Sequence, residues 1–284
     1  MQHYAIDDFY FFGVLSMLLR SGAEIIRLEL LFKTPLWATM LVLLLFSEYA
    51  ASKGISNIGR ILEFFGYILL LTIILISLQM FSSGDILNVL PLFDLKEINA
   101  YIKALPLAIM PFLGIEALTI IPLSKVNGKK AIWYSMSSVM AVNVFYLLIV
   151  YHTYMLLGVE DSKNYKDAMF VATRLLDIEI LQFLKRFDII IFIVWIFVMF
   201  CTFTIVIYTL SEYTHKIFSK ATSYKVLIIV SALAYVAALL PASYDEATQI
   251  FTYLSMYFGL IPAFLIPMIL LIMAKVKKHV ANKA

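Results

Sequence analysis

The sequence predicts an all-α protein, a polytopic membrane helical bundle of about eight transmembrane helices. Three observations predict it. The 284 residues are 63% hydrophobic and only 14% charged, against about half and about a quarter in an ordinary soluble domain. The apolar excess, a mean hydropathy of +0.93, recurs in runs near the roughly 20 residues a helix needs to cross a hydrocarbon core. Lys and Arg gather on alternate connections between those runs, the asymmetry that orients membrane helices.

The expected spans are 9–32, 35–51, 58–81, 102–123, 131–158, 187–213, 224–241 and 250–274. The first carries Arg20, Glu24 and Arg27, four and three residues apart and therefore on one helix face. Charges at that depth pair with each other or line a polar interior, and both readings stand. The second and third spans are joined by a short connection holding Lys53. A polar loop, 82–101, follows the third. The connection 159–186 contains a stretch, 165–184, with apolar residues at helical spacing. It reads as a short amphipathic helix on the membrane face or capping the bundle. The sixth span opens with Lys185, Arg186 and Asp188, with Trp195 deeper in. That opening is an interfacial cap, or Asp188 gates an outer mouth. Pro262 and Pro267 in the last span have no acid nearby and read as packing kinks.

The connections with Lys53 and Arg60, with Lys125, Lys129 and Lys130, and with Lys216, Lys220 and Lys225 lie on one side, together with the tail lysines. Asp85, Asp94, Glu97, Asp245 and Glu246 lie on the other. The lysine side and both termini are therefore expected in the cytoplasm. Residues 1–8 hold Asp7 and Asp8 and no basic start, so the first span is expected to direct insertion itself.

Several classes are set aside. The net charge of +3 comes without basic clusters among aromatics, so nucleic acid is not an expected partner. Cys201 stands alone, which excludes an intramolecular disulfide. His3, His152, His215 and His279 lack metal-ligand spacing. No phosphate-cradling loop and no nucleophile with a base is apparent, so neither an enzyme nor a cofactor is expected.

The fourth span holds the chemistry. It is apolar yet carries Pro106, Pro111, Pro122, Gly114 and Glu116. Proline lacks an N–H and displaces the carbonyl four residues back, so Pro111 frees Leu107 and Pro122 frees Leu118. Gly114 lets the backbone leave helical geometry cheaply. Freed polar groups in hydrocarbon need protein or a watered cavity, and broken helices near the midplane are how many transporters build solute sites. The expected substrate site is Pro111, Phe112, Leu113, Gly114, Ile115 and Glu116. Backbone N–H groups there suit a carboxylate, and Glu116 suits an ammonium or a proton. A kinked packing helix with Glu116 satisfied by a neighbour is the other reading.

PFLGIE (111–116) resembles the sixth-helix motif of the amino acid–polyamine–organocation superfamily. With Arg20, Glu24 and Arg27 followed by TPLW (34–37), NVLP (88–91), and KRFD (185–188) leading into an apolar helix with a tryptophan, the chain resembles the B subunit of endospore germinant receptors. The resemblance implies a LeuT-like fold of inverted repeats, the spore inner membrane, A and C partner subunits, and a nutrient germinant, often an amino acid. It implies one integral membrane domain, 1–284, with 1–81 the remainder of the first repeat and 102–274 the second. Ligand would touch 110–117 and faces of the family's first, third and eighth helices. The first span here matches the family's third helix, and the family's first two have no counterpart before Met1. The expectation is therefore of a solute cradle missing one side. Three functions follow: a germinant-sensing subunit, an amino acid permease, and a scaffold for partner subunits.

Overall fold

A computed structural model of the chain describes residues 2–90, 94–109, 117, 120, 128–174, 187–218, 222–259, 268–269 and 272–273. Among them all regular structure is helical, with no strand. The elements are α1 (Gln2–Glu29), α2 (Leu36–Ser52), α3 (Ile55–Ser83), two 3₁₀ turns (Ile86–Val89 and Leu95–Glu97), α4 (Ile98–Ile109), α5 (Gly128–Leu157), α6 (Val159–Ser162), α7 (Ala168–Arg174), α8 (Phe187–Ile217), α9 (Ser223–Ala238) and α10 (Tyr244–Leu254). A π-helical turn, Ser255–Gly259, continues α10.

Four helices are long and apolar enough to cross a membrane: Ala5–Glu29, Ile55–Ser77, Ile132–Leu157 and Asp188–Ile217. They coincide with the expected first, third, fifth and sixth spans. The expected second and seventh appear as shorter apolar helices, α2 and α9. Four hydroxyls inside these helices are satisfied locally: Ser16, Thr72, Ser77 and Thr153 each donate to the carbonyl four residues back. That local bond lets a hydroxyl sit in hydrocarbon without a partner helix. Between α2 and α3, Gly54 holds φ +81°, the left-handed conformation that ends a helix and that glycine adopts without a Cβ penalty.

Two compact units are present. The first comprises 1–58, 99–122 and 202–284; the second comprises 59–98 and 123–201. In the first, α1 is the central helix, packed against α2, α9, α10 and the π turn, while α2 also packs against α9. Ser231 Oγ of α9 donates to Glu48 Oε2 of α2 at 3.0 Å, and Tyr235 Oη to the Trp37 carbonyl at 3.0 Å. Phe11 of α1 lies against Tyr213 of α8, centroids 5.7 Å apart, and Thr214 Oγ1 donates to Asp8 Oδ1.

In the second unit, Phe65 of α3 stacks on Phe197 of α8 at 4.6 Å. The segment 85–90 is pinned to the end of α5, because the Asp85 N–H and Asn88 Nδ2 both donate to the Met155 carbonyl. Loop 82–101 differs from its polar reading. Asp85 and Asp94 turn their carboxylates onto the N–H groups of Leu87 and Lys96, while Ile86, Leu87, Leu90 and Leu95 face outward. Of the stretch 165–184 expected to be helical, residues 168–174 form α7, which packs on α5; residues 175–184 lie outside the described residues.

Candidate functional site

Arg20, Glu24 and Arg27 come together on one face of α1, from just past the middle of the span Ala5–Glu29 towards its end. Arg27 Nη2 donates to Glu24 Oε1 at 2.6 Å. Arg20 Nε lies 3.8 Å from Glu24 Oε2, beyond hydrogen-bond reach. Both of those atoms are buried, and neither has a hydrogen-bond partner among the described residues. The Arg20 and Glu24 side chains are 10% and 11% exposed, and Arg27 is 37% exposed. Glu24 is thus held by Arg27, whose head reaches outward. Arg20 stays inside with an ion pair and, among the described residues, no hydrogen bond. Two guanidiniums share one carboxylate, so the three side chains together carry a net charge of +1.

The same face of α1 meets α10. A Cβ added at Gly13 would come within 2.6 Å of Leu254 Cδ1, so glycine permits the close approach. One turn towards the N-terminus, Phe9 meets Phe258 edge-on at 5.2 Å. These two contacts advance along α1 as they retreat along α10, which makes the helices antiparallel. Two turns further on, that register lays Arg20 opposite Ala247 and Glu24 opposite Ser243. Ala247 is fully buried. Ser243 caps α10 by accepting the Glu246 N–H, and Glu246 Oε2 accepts the Ala242 N–H. Such reciprocal capping satisfies backbone donors at a helix start. The π turn that follows is a local widening of the kind that recurs at functional sites. Ser255 within it is buried, with a hydroxyl that has no hydrogen-bond partner among the described residues.

Asp188 belongs to the second unit. Its Oδ2 lies 4.0 Å from Arg174 Nε of α7. Beside this pair Phe170 packs edge-on against Phe192 and Trp195, at 4.9 and 5.4 Å. The ion pair and the aromatic cluster together fasten α7 over the first turns of α8. His152 of α5, which lacks metal-ligand spacing in the sequence, lies in the same unit. It is 1% exposed, and neither ring nitrogen finds a hydrogen-bond partner among the described residues. A single histidine in an apolar run has no neighbour at ligand spacing, so nothing in the pattern marks it.

Pro111, Phe112, Leu113, Gly114, Ile115 and Glu116 lie outside the described residues. α4 is described as far as Ile109, with Pro106 in its last turn. Beyond them, the Ile120 N–H donates to the Ala117 carbonyl at 3.1 Å, a bond of the i→i+3 type that is tighter than an α-helical turn.

The family model described as spore germination protein matches residues 8–247. Two curated relatives come from Bacillus subtilis (strain 168). The chain is similar to Spore germination protein A2, 26% identical over 279 residues, covering 96% of this chain and 74% of that protein. It is also similar to Spore germination protein YndE, 26% identical over 214 residues, covering 74% of this chain and 58% of that one. No solved structure gives a significant match.

Proposed function

Because the chain belongs to the spore germination protein family, we propose that it is the nutrient-sensing subunit of a spore germination receptor, with a small amino acid as its germinant. The family match over most of the chain carries the reading. The apolar helices and the charged triad inside α1 support it, since ionisable groups inside a membrane bundle mark solute pathways by default. In this reading the bundle is LeuT-like, with 1–81 the remainder of one repeat and 102–274 the second. Eight helices cross the spore inner membrane and both termini face the cytoplasm. A and C subunits bind the same bundle.

The germinant sits at a break over Pro111, Phe112, Leu113, Gly114, Ile115 and Glu116. Glu116 receives the ammonium. Binding favours one arrangement of the bundle through differential affinity, and the partner subunits respond to that arrangement. Asp188, tied to Arg174, acts at the capped end of the second unit, where release of the pair would let α7 move.

The test is germination of spores carrying this chain with Glu116→Gln. The expected result is loss of the nutrient response while membrane levels of the protein hold. An unchanged response removes 111–116 from the site. Uptake of labelled amino acid into vesicles holding the purified chain would instead favour a permease.

A further inference from the structure

We propose that the turn after α3, residues 85–90, is a membrane-interface anchor whose outward face, Ile86, Leu87 and Leu90, lies in lipid at the level where the α5 span ends. The partner is the bilayer that holds the protein. The assignment does not depend on which solute the protein binds.

The turn has two faces. Val89 is buried, while Ile86, Leu87 and Leu90 are each more than half exposed. Its polar side chains are already occupied. Asp85 Oδ1 accepts the Leu87 N–H, and Asn88 Nδ2 donates to the Met155 carbonyl. What remains facing outward is apolar.

The backbone is equally self-contained. The N–H groups of Asp85, Leu87, Asn88 and Leu90 donate to the Met155 carbonyl, the Asp85 carboxylate, the Asp85 carbonyl and the Leu87 carbonyl. Irregular backbone enters a medium poor in water only when its polar groups are satisfied internally, and these four meet that condition. The next turn, Leu95–Glu97, repeats the device on a smaller scale: Asp94 accepts the Lys96 N–H, and Leu95 is exposed.

Depth identifies what covers the face. Met155, which holds the turn, lies in the last turn of the span Ile132–Leu157. The turn is therefore fixed at the end of a membrane-crossing stretch, at the boundary of acyl chains and headgroups. Of the four spans, this one is the least buried within the protein, and Leu147 and Val150 are exposed along it. The apolar surface of the turn thus prolongs a lipid-facing helix. A protein partner fits less well, because interfaces between proteins carry about one hydrogen bond per 100–200 Å², and this face brings no polar side chain to make one.

The experiment uses the full chain with Cys201→Ala, reconstituted in vesicles of phosphatidylethanolamine and phosphatidylglycerol. A nitroxide spin label is placed in turn at Leu87→Cys, Leu95→Cys, Leu147→Cys and Lys163→Cys. Collisions with oxygen, which concentrates in lipid, and with a water-soluble nickel complex are then measured. Leu147 is the lipid reference, and Lys163, an exposed lysine beyond the same end of α5, is the water reference. At Leu87 oxygen should dominate, with a depth of about 5–10 Å below the headgroups, as for interfacial segments, and shallower than Leu147. Leu95 should follow Leu87. Nickel contact at Leu87 equal to that at Lys163 places the turn in water and overturns the proposal. An immobilised label reached by neither reagent means that protein covers the face, which also overturns it. The unsubstituted chain gives a second reading, by labelling with a lipid-soluble diazirine and mapping the peptides. Label on 85–90 as well as on 147–151 supports the anchor; label on 147–151 alone removes it.

Discussion

Replacing Glu24 by Gln removes the single carboxylate that Arg20 and Arg27 share. Two effects follow. The Arg27–Glu24 hydrogen bond at 2.6 Å is charge-assisted, a kind with a net value of about 1.5–3 kcal/mol; the partial exposure of Arg27 places it at the lower end. Arg20 is then left without an ionic partner among the described residues, and an uncompensated arginine at the centre of a membrane helix costs about 2.5–3.5 kcal/mol. Both effects pass through one carboxylate, so they do not add in full. The expected destabilisation is about 3–4 kcal/mol. Arg20→Gln leaves a neutral Glu24–Arg27 pair and should cost less than about 1 kcal/mol. The double variant should therefore be more stable than Glu24→Gln alone, with a coupling of about 2 kcal/mol. The four proteins are compared by reversible unfolding with SDS in mixed micelles, followed by tryptophan fluorescence. Equal stability of Glu24→Gln and Arg20→Gln, or additive behaviour in the double variant, would refute the charge accounting for the triad.

Three further outcomes are expected. Phe170→Ala empties the buried contact with Phe192 and Trp195 and should cost about 3 kcal/mol; faster proteolysis within 159–174 than elsewhere would report the loosened α7, and an unchanged cleavage rate would deny that Phe170 fastens it. Gly13→Leu drives a side chain into Leu254 and should destabilise by about 1–3 kcal/mol through overpacking, read in the same SDS titration, where wild-type stability would contradict the close approach. Lys163→Ala breaks an ion pair whose side chains are 61% and 85% exposed, and should change stability by less than about 0.5 kcal/mol; a larger loss would show that α6 is more tightly engaged than its exposure implies.

The long apolar helices are legible in the sequence because an uncharged run of sufficient length has few other fates. Arg20, Glu24 and Arg27 are legible for a related reason. Spacings of four and three fix a shared face whatever packs against it. What the spacing does not reveal is that Arg27 takes the Glu24 oxygen and leaves Arg20 without a hydrogen bond, because that depends on which side chain reaches the surface.

The start of α10 lies six residues before its expected place, residue 250. Ser243 followed three residues later by Glu246, just after Pro241, is a helix-start signal, but hydropathy obscures it because this first turn is polar. The pair Arg174–Asp188 is set by tertiary packing of a short helix, with no periodicity to announce it. Loop 82–101 is misjudged by composition. Asp85 and Asp94 cap their own turns, so their charges say little about the leucines beside them.

α8 has a mechanical consequence. Its residues 189–211 carry no charge and extend about 35 Å at the α-helical rise, against a hydrocarbon thickness of about 30 Å. Matching the two takes a lean of roughly 30° or a local thickening of the lipid. One terminus of this helix is tethered by Arg174 to Asp188, the other by Asp8 to Thr214. Acyl chain length therefore bears directly on both tethers, and shorter-chained lipids should strain them without any solute being present.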